Sequence, residues 1–368
     1  MFKLVKKLDS KKKSDFDLKI NITSKWKANC LKKNIDNKYH LLIHNTYNLP
    51  PKKLYKKIIK NINSLDDLIS LIKENEYNSN YNYNIKLKEL HLIKNDLIEF
   101  NNFIGLQNLK NNILLQIIYY LSNPNIKDEY MHTVISGPPG TGKTEIAHSI
   151  SKIFSKLGIL KNNKVNKVTR SDLIGGFLGQ TALKTKDVIN KSLGGVLFID
   201  EAYSLGNSDK KDSYSKECID TLTECLSFHR NDLMVIIAGY KNQLQDCFFD
   251  YNPGLESRFA WRYDIDNYNP IELSQILQKK IIEKKFILNI HPSKLINWIS
   301  ENKIFFKNNG RDIEIFCNKI KIFYYKNYFC NYINPLNNIS FNELNGGFKL
   351  YTNNIYKNNE PPSLNMYI

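Results

Sequence analysis

The chain has 368 residues, 42 % of them apolar, with a mean hydropathy of −0.43. That is material for roughly two to three domains, and no run approaches the ~18 consecutive apolar residues of a membrane-spanning helix, which excludes a helical integral membrane protein. Fifty-three basic and 36 acidic residues give a net charge of +17; residues 1–98, with 21 Lys, no Arg and ten acidic residues, hold +11 of it. A surface of this kind attracts phosphate backbones and other anionic partners, although a general excess of Lys, Asn, Ile and Tyr accounts for it equally. The charged N-terminus lacks the apolar stretch of a secretory signal. The six cysteines form no C-x-x-C pair, which argues against a zinc ribbon or disulfide scaffold and fits a reducing compartment.

In chain order, residues 1–98 contain short amphipathic pieces. Ser64-Leu65-Asp66-Asp67 reads as a helix start, with a serine cap and acids in the first turn. The polar run 75–84 reads as a loop or linker. From Glu99 the pattern changes to apolar runs at 132–135, 164–168, 196–199 and 234–238, alternating with helical segments, as in a parallel sheet covered on both faces. After Asn269-Pro270 the pattern is helical to about Phe329. Residues 331–368 are Asn-rich and are expected to form an irregular tail. The expected division is therefore 1–98, a nucleotide-binding domain at 99–268, a small helical lid at 269–330, and the tail.

The run at 132–136 leads into Gly137-Pro138-Pro139-Gly140-Thr141-Gly142-Lys143-Thr144, the pattern G-x-x-x-x-G-K-[ST] between a strand and a helix. Glycines let backbone N–H groups approach phosphate oxygens, and the following helix N-terminus favours negative charge. Lys143 is expected on the β- and γ-phosphates of ATP and the Thr144 hydroxyl on Mg²⁺. The run Val196 to Ile199 ends in Asp200-Glu201, at the strand end where ligands sit in doubly wound sheets. Asp200 is the second expected Mg²⁺ ligand, and Glu201 the group that polarises the attacking water.

Taken together these residues resemble an AAA+ ATPase, specifically the group containing the red-type Rubisco activase CbbX (CfxQ) and stage V sporulation protein K. The resemblance covers about 99–325 and rests on Thr169 to Gly175, Gly179-Gln180-Thr181-Ala182, Phe198 to Leu205, Ala238-Gly239-Tyr240-Lys241 and Asn252 to Phe259. It implies an α/β P-loop NTPase fold with a helical lid, assembled as a hexameric ring with nucleotide between subunits. It also implies that Arg258 is an arginine finger reaching the neighbour's γ-phosphate, that Arg311 in Asn309-Gly310-Arg311 is a lid residue contacting nucleotide, and that Ile104-Gly105 pack near the adenine. The group usually carries a second arginine three residues after Arg311, where this chain has Glu314. Gly175-Gly176-Phe177-Leu178-Gly179 corresponds to a pore loop gripping a protein client through Phe177 and Leu178. The resemblance does not make Rubisco that client, and Tyr240 occupies the sensor 1 position without an evident role. Two further readings remain open: a nucleic-acid-associated motor or loader using 1–98, and a nucleotide-gated scaffold with negligible turnover. Cys218 and Cys225, seven apart, are expected to share a buried helix face, and the histidines show no metal-binding spacing.

Overall fold

The computed structural model describes residues 53–123, 129–177, 179–209, 211–329 and 337–357. Two compact units divide the chain. The described residues of the smaller are 53–55 and 80–82, which include parts of two short strands, β1 (Leu54–Lys56) and β2 (Tyr81–Tyr83). The stretch 75–84, expected to be a loop throughout, thus contains a strand, since alternate tyrosines suit a pleated surface better than the asparagines between them suggest. All that follows concerns the larger unit, 56–79 and 83 onward.

That unit begins with α1 (Leu65–Glu74), α2 (Leu87–Asn101) and α3 (Gln107–Ser122). Helix α1 starts where the serine predicts: the Ser64 hydroxyl accepts from the Asp67 N–H while Asp67 accepts from the Ser64 N–H, so two orphan donors of the first turn are satisfied. Helix α2 buries Leu90, Ile93, Leu97 and Phe100, one stripe at helical spacing.

Five parallel strands form the central sheet: β3 (Thr133–Ser136), β4 (Val165–Val168), β5 (Val196–Ile199), β6 (Met234–Gly239) and β7 (Trp261–Asp264). Their spatial order is β4-β5-β6-β3-β7. The sequence pattern revealed the first four. The fifth is an edge strand of alternating character, in which only Tyr263 is buried, and an apolar-run criterion overlooks it.

Successive residues of a strand face opposite sides, and here they feed two separate cores. Val196, Phe198, Met234, Ile236 and Ala238 join α1–α3 and α4 (Lys143–Lys156) in one core. Leu197, Ile199, Val235 and Ile237 join α5 (Arg170–Leu173), α6 (Gln180–Ser192), α7 (Ser213–Phe228) and α8 (Lys241–Cys247) in the other. Cys218 and Cys225 share the buried face of α7 as expected. Cys30 and Cys330 lie outside the described residues.

Beyond β7 and the single turn α9 (Pro253–Glu256), a third core is mostly helical. It is formed by α10 (Pro270–Glu283), α11 (Pro292–Glu301), α12 (Asn309–Tyr328) and α13 (Phe341–Lys357), with a small parallel pair of strands, β8 (Ile287–Leu288) and β9 (Asn338–Ile339). Two sequence expectations change. The boundary placed at 98 falls inside α2, whose apolar stripe is part of the core under α4; the Asp96 carboxylate, itself buried, pairs with Lys156 of α4 at 2.7 Å. The tail expected to be irregular contains α13. Its Gly346 and Gly347 look like helix breakers, but they allow close packing on α12: a Cβ on Gly347 would lie 2.6 Å from the Ile320 Cα.

Candidate functional site

The loops following β3, β5 and β6 all leave the carboxyl edge of the sheet, where a parallel sheet places its ligands. The first loop, 137–144, is glycine-dependent: Gly140 and Gly142 have φ of +73° and +82°, and Gly142 caps α4. Loop N–H groups and the start of a 14-residue helix therefore face the same point. Lys143 Nζ donates to the Pro138 carbonyl at 2.7 Å. Burial, then the neighbouring Arg311 guanidinium, pulls the Lys143 pKa down to about 8. Two cations thus lie beside a glycine loop that itself carries no acidic residue, which fits a polyphosphate.

The acidic pair at the end of β5 divides in two directions. Asp200 is half-buried; one oxygen accepts from the Thr144 hydroxyl at 3.1 Å and the other pairs with Lys167 of β4 at 3.0 Å. Glu201 has φ +51°, a left-handed conformation that costs a non-glycine residue about 1 kcal/mol or more and is retained where the surroundings dictate it. It borders a cavity of about 500 Å³, lined also by Arg170, Ser171, Ile174, Asp200 and Ser204. Among the described residues no group of three or more His, Cys, Asp or Glu side chains could hold a metal alone. The juxtaposed Thr144 and Asp200 oxygens fit Mg²⁺, a hard cation that takes few protein ligands and completes its shell with phosphate and water.

The helical core closes over the loop. Gly310 N–H donates to the Gly140 carbonyl at 2.9 Å, the Asn309 amide to the Pro139 carbonyl at 3.1 Å, and the Tyr268 hydroxyl to the Thr141 carbonyl at 3.0 Å. A Cβ on Gly140 would lie 1.8 Å from the Asn308 carbonyl oxygen, so this position requires glycine for close approach as well as for its φ. Arg311 lies in the first turn of α12, beside this seam. Glu314, where a second arginine was expected, turns to α10 and pairs with Lys280 at 3.5 Å. Ile104 and Gly105 precede α3 in a turn where Gly105 and Leu106 both have positive φ, and Leu106 packs against both the sheet core and the helical core.

Lys143, Thr144, Asp200 and Arg311 are therefore brought to one locality. Arg258 is held elsewhere: its Nε donates to the Ser227 hydroxyl at 2.6 Å and its Nη1 to the Gly254 carbonyl, not to the 137–144 loop. Phe177 is 72 % exposed, in a bend after Gly175 and Gly176. Leu178 lies outside the described residues. Sequence reading named Asn309 only as part of the Arg311 segment and missed Tyr268 and Lys167, because their roles depend on contacts across 41 residues or more (Tyr268 to Asn309) or on strand neighbours (Lys167), and it left Tyr240 without a role although that ring lies beneath Lys143.

Comparison with known proteins defines the class. Residues 133–266 match the model of the ATPase family associated with various cellular activities (AAA), and this segment of the chain belongs to that family. The group within it follows from relatives along the sequence. The chain is 41 % identical over 255 residues to a cfxQ-like protein of Acanthamoeba polyphaga mimivirus, covering 68 % of this chain and 63 % of that one. It is 36 % identical to stage V sporulation protein K of Bacillus subtilis (52 % and 61 %) and 40 % identical to a CfxQ homologue of Pyropia yezoensis (47 % and 58 %). The matched region thus spans about three fifths of these relatives. A solved structure of the FIGL-1 AAA domain with ADP shares the fold, with a TM-score of 0.52 at 17 % identity over 80 % of this chain and 92 % of that one. No described helix is long and apolar enough to cross a membrane.

Proposed function

We propose that the protein is a Mg²⁺-dependent ATPase that works as a ring of identical subunits and remodels a protein client. The observation that carries this reading is the convergence of the 137–144 backbone, Lys143, Arg311 and the Thr144–Asp200 pair at one sheet edge. The nucleotide-binding part would be 99–268 together with the α1–α2 segment packed beneath it, and the lid 269–357.

Bound Mg²⁺ would neutralise charge on the transferred phosphoryl group, held by Thr144 and Asp200. Lys143 and Arg311 hold the phosphates and meet the charge that develops on them. Glu201, which lines the cavity, orients water and accepts its proton as ATP becomes ADP and phosphate. Arg258 bonds Ser227 and Gly254 and not the loop of its own chain, which supports its acting on a neighbouring copy, where a permanently charged fork stabilises the transition state. The exposed Phe177 ring offers sequence-tolerant apolar contact to an extended polypeptide.

The direct test is phosphate release from ATP by the full chain, with Glu201→Gln as the trap. The reading expects Glu201→Gln to retain ATP, lose turnover and co-purify with its client. Wild-type protein that neither binds nor cleaves ATP removes it; retention of ATP without turnover in the wild type would leave a nucleotide-gated scaffold instead.

A further inference from the structure

Lys143 has a seat that involves no phosphate. Besides its bond to the Pro138 carbonyl, its Nζ lies 4.4 Å from the centroid of the Tyr240 ring. Tyr240 follows β6, which runs between β5 and β3, so the residue emerges between the acidic pair and the glycine loop. Tyr203, two residues past Glu201, stacks on it with centroids 5.4 Å apart and planes at 28°, fixing the plane of the ring. The face of a tyrosine ring is electronegative and attracts an ammonium, more strongly where water is scarce. Lys143 is such a case, since burial is the main influence lowering its pKa.

We propose that the Tyr240 ring, together with the Pro138 carbonyl, is a resting seat for Lys143 that competes with nucleotide phosphate, so that Tyr240 is a positioning residue that weakens nucleotide binding and speeds product release. This rests on reading 137–144 as a nucleotide loop. On this proposal phosphate draws Lys143 off the ring, and a seat that must be vacated lowers apparent affinity by the fraction of time it is filled. It also gives an aromatic residue at this position a function: its ring controls the availability of Lys143.

The experiment measures equilibrium binding and stopped-flow release of a fluorescent N-methylanthraniloyl-ADP on the full chain. Tyr240→Leu should bind roughly threefold to tenfold more tightly and release more slowly by a similar factor. Tyr240→Phe, which keeps the ring, should match wild type. Progressive ring fluorination in the Tyr240→Phe background drains the ring face while keeping its shape, and affinity should rise stepwise with fluorine number. This series decides the matter even if Tyr240→Leu fails to fold. Affinity that is indifferent to fluorination, or that falls with it, overturns the proposal. If Lys143→Ala binds the probe as well as wild type does, the nucleotide-loop reading itself fails, an outcome separate from failure of the seat alone.

Discussion

The 137–144 loop and the Arg258 segment differ in what holds them. The loop is gripped from its own lid by Gly310, Asn309 and Tyr268, and its Thr144 meets Asp200 within the same chain. Arg258 is tied to Ser227 and Gly254, away from that loop. In the proposed reading one half of the site is assembled within the chain, and the other half, Arg258, acts on a neighbouring copy. Affinity for nucleotide should depend on the first half alone, and turnover on both.

The largest effect should come from breaking the second half. Arg258→Ala is expected to lower turnover by about 10³–10⁵ while ADP affinity stays at the wild-type value, as read by phosphate release and calorimetry. Mixing Arg258→Ala with Lys143→Ala copies should recover activity, because some interfaces then pair an intact finger with an intact loop; inert mixtures would place Arg258 outside the reaction. Next, Glu201→Gln should cost about 10²–10⁴ in turnover. Lys143→Ala should weaken ADP binding by roughly tenfold to a hundredfold, the value of a charge-assisted contact.

A pH titration sharpens the same contrast. The free-protein value of about 8 for Lys143 is depressed, and phosphate favours the charged form and raises it. ADP affinity should therefore be flat between about pH 7, above which the terminal phosphate is fully ionised, and about pH 8, and fall above that by at most about tenfold per pH unit. Calorimetry in buffers of different ionisation enthalpy should register proton uptake on binding only above that value.

The smallest effects concern stability and show how much of the molecule is readable in its sequence. Ile93→Ala, at a fully buried position of α2, should cost about 2–5 kcal/mol in denaturant unfolding, and a smaller loss would detach 83–101 from the core. Phe177→Ala should stay within about 0.5 kcal/mol of wild type, since the ring is largely exposed; a core-sized loss would end its assignment to the pore.

Four sheet strands, the glycine loop and the acidic pair were legible because each requirement is local: an apolar run of fixed length, a glycine where φ is positive, an acid after a buried strand. The capping of α1 was legible for the same reason. What escaped depends on neighbours. The polar edge strand β7 is set by its pairing with β3. The glycines of α13 are explained only by the approach of α12. The stripe of α2 was present at helical spacing but was masked by surrounding lysines and asparagines. Glu314 pairs with Lys280 of α10, a partner 34 positions earlier in the chain.

The seam between Gly140 and the 308–310 segment is largely main chain meeting main chain. Such a joint has little side-chain identity to lose, so sequences that drift apart on either side of it can keep the same clasp. Its weak point is volume: a single methyl group introduced at 140 would act as a wedge, prising the lid from the loop and leaving a protein folded in both halves but unable to shut.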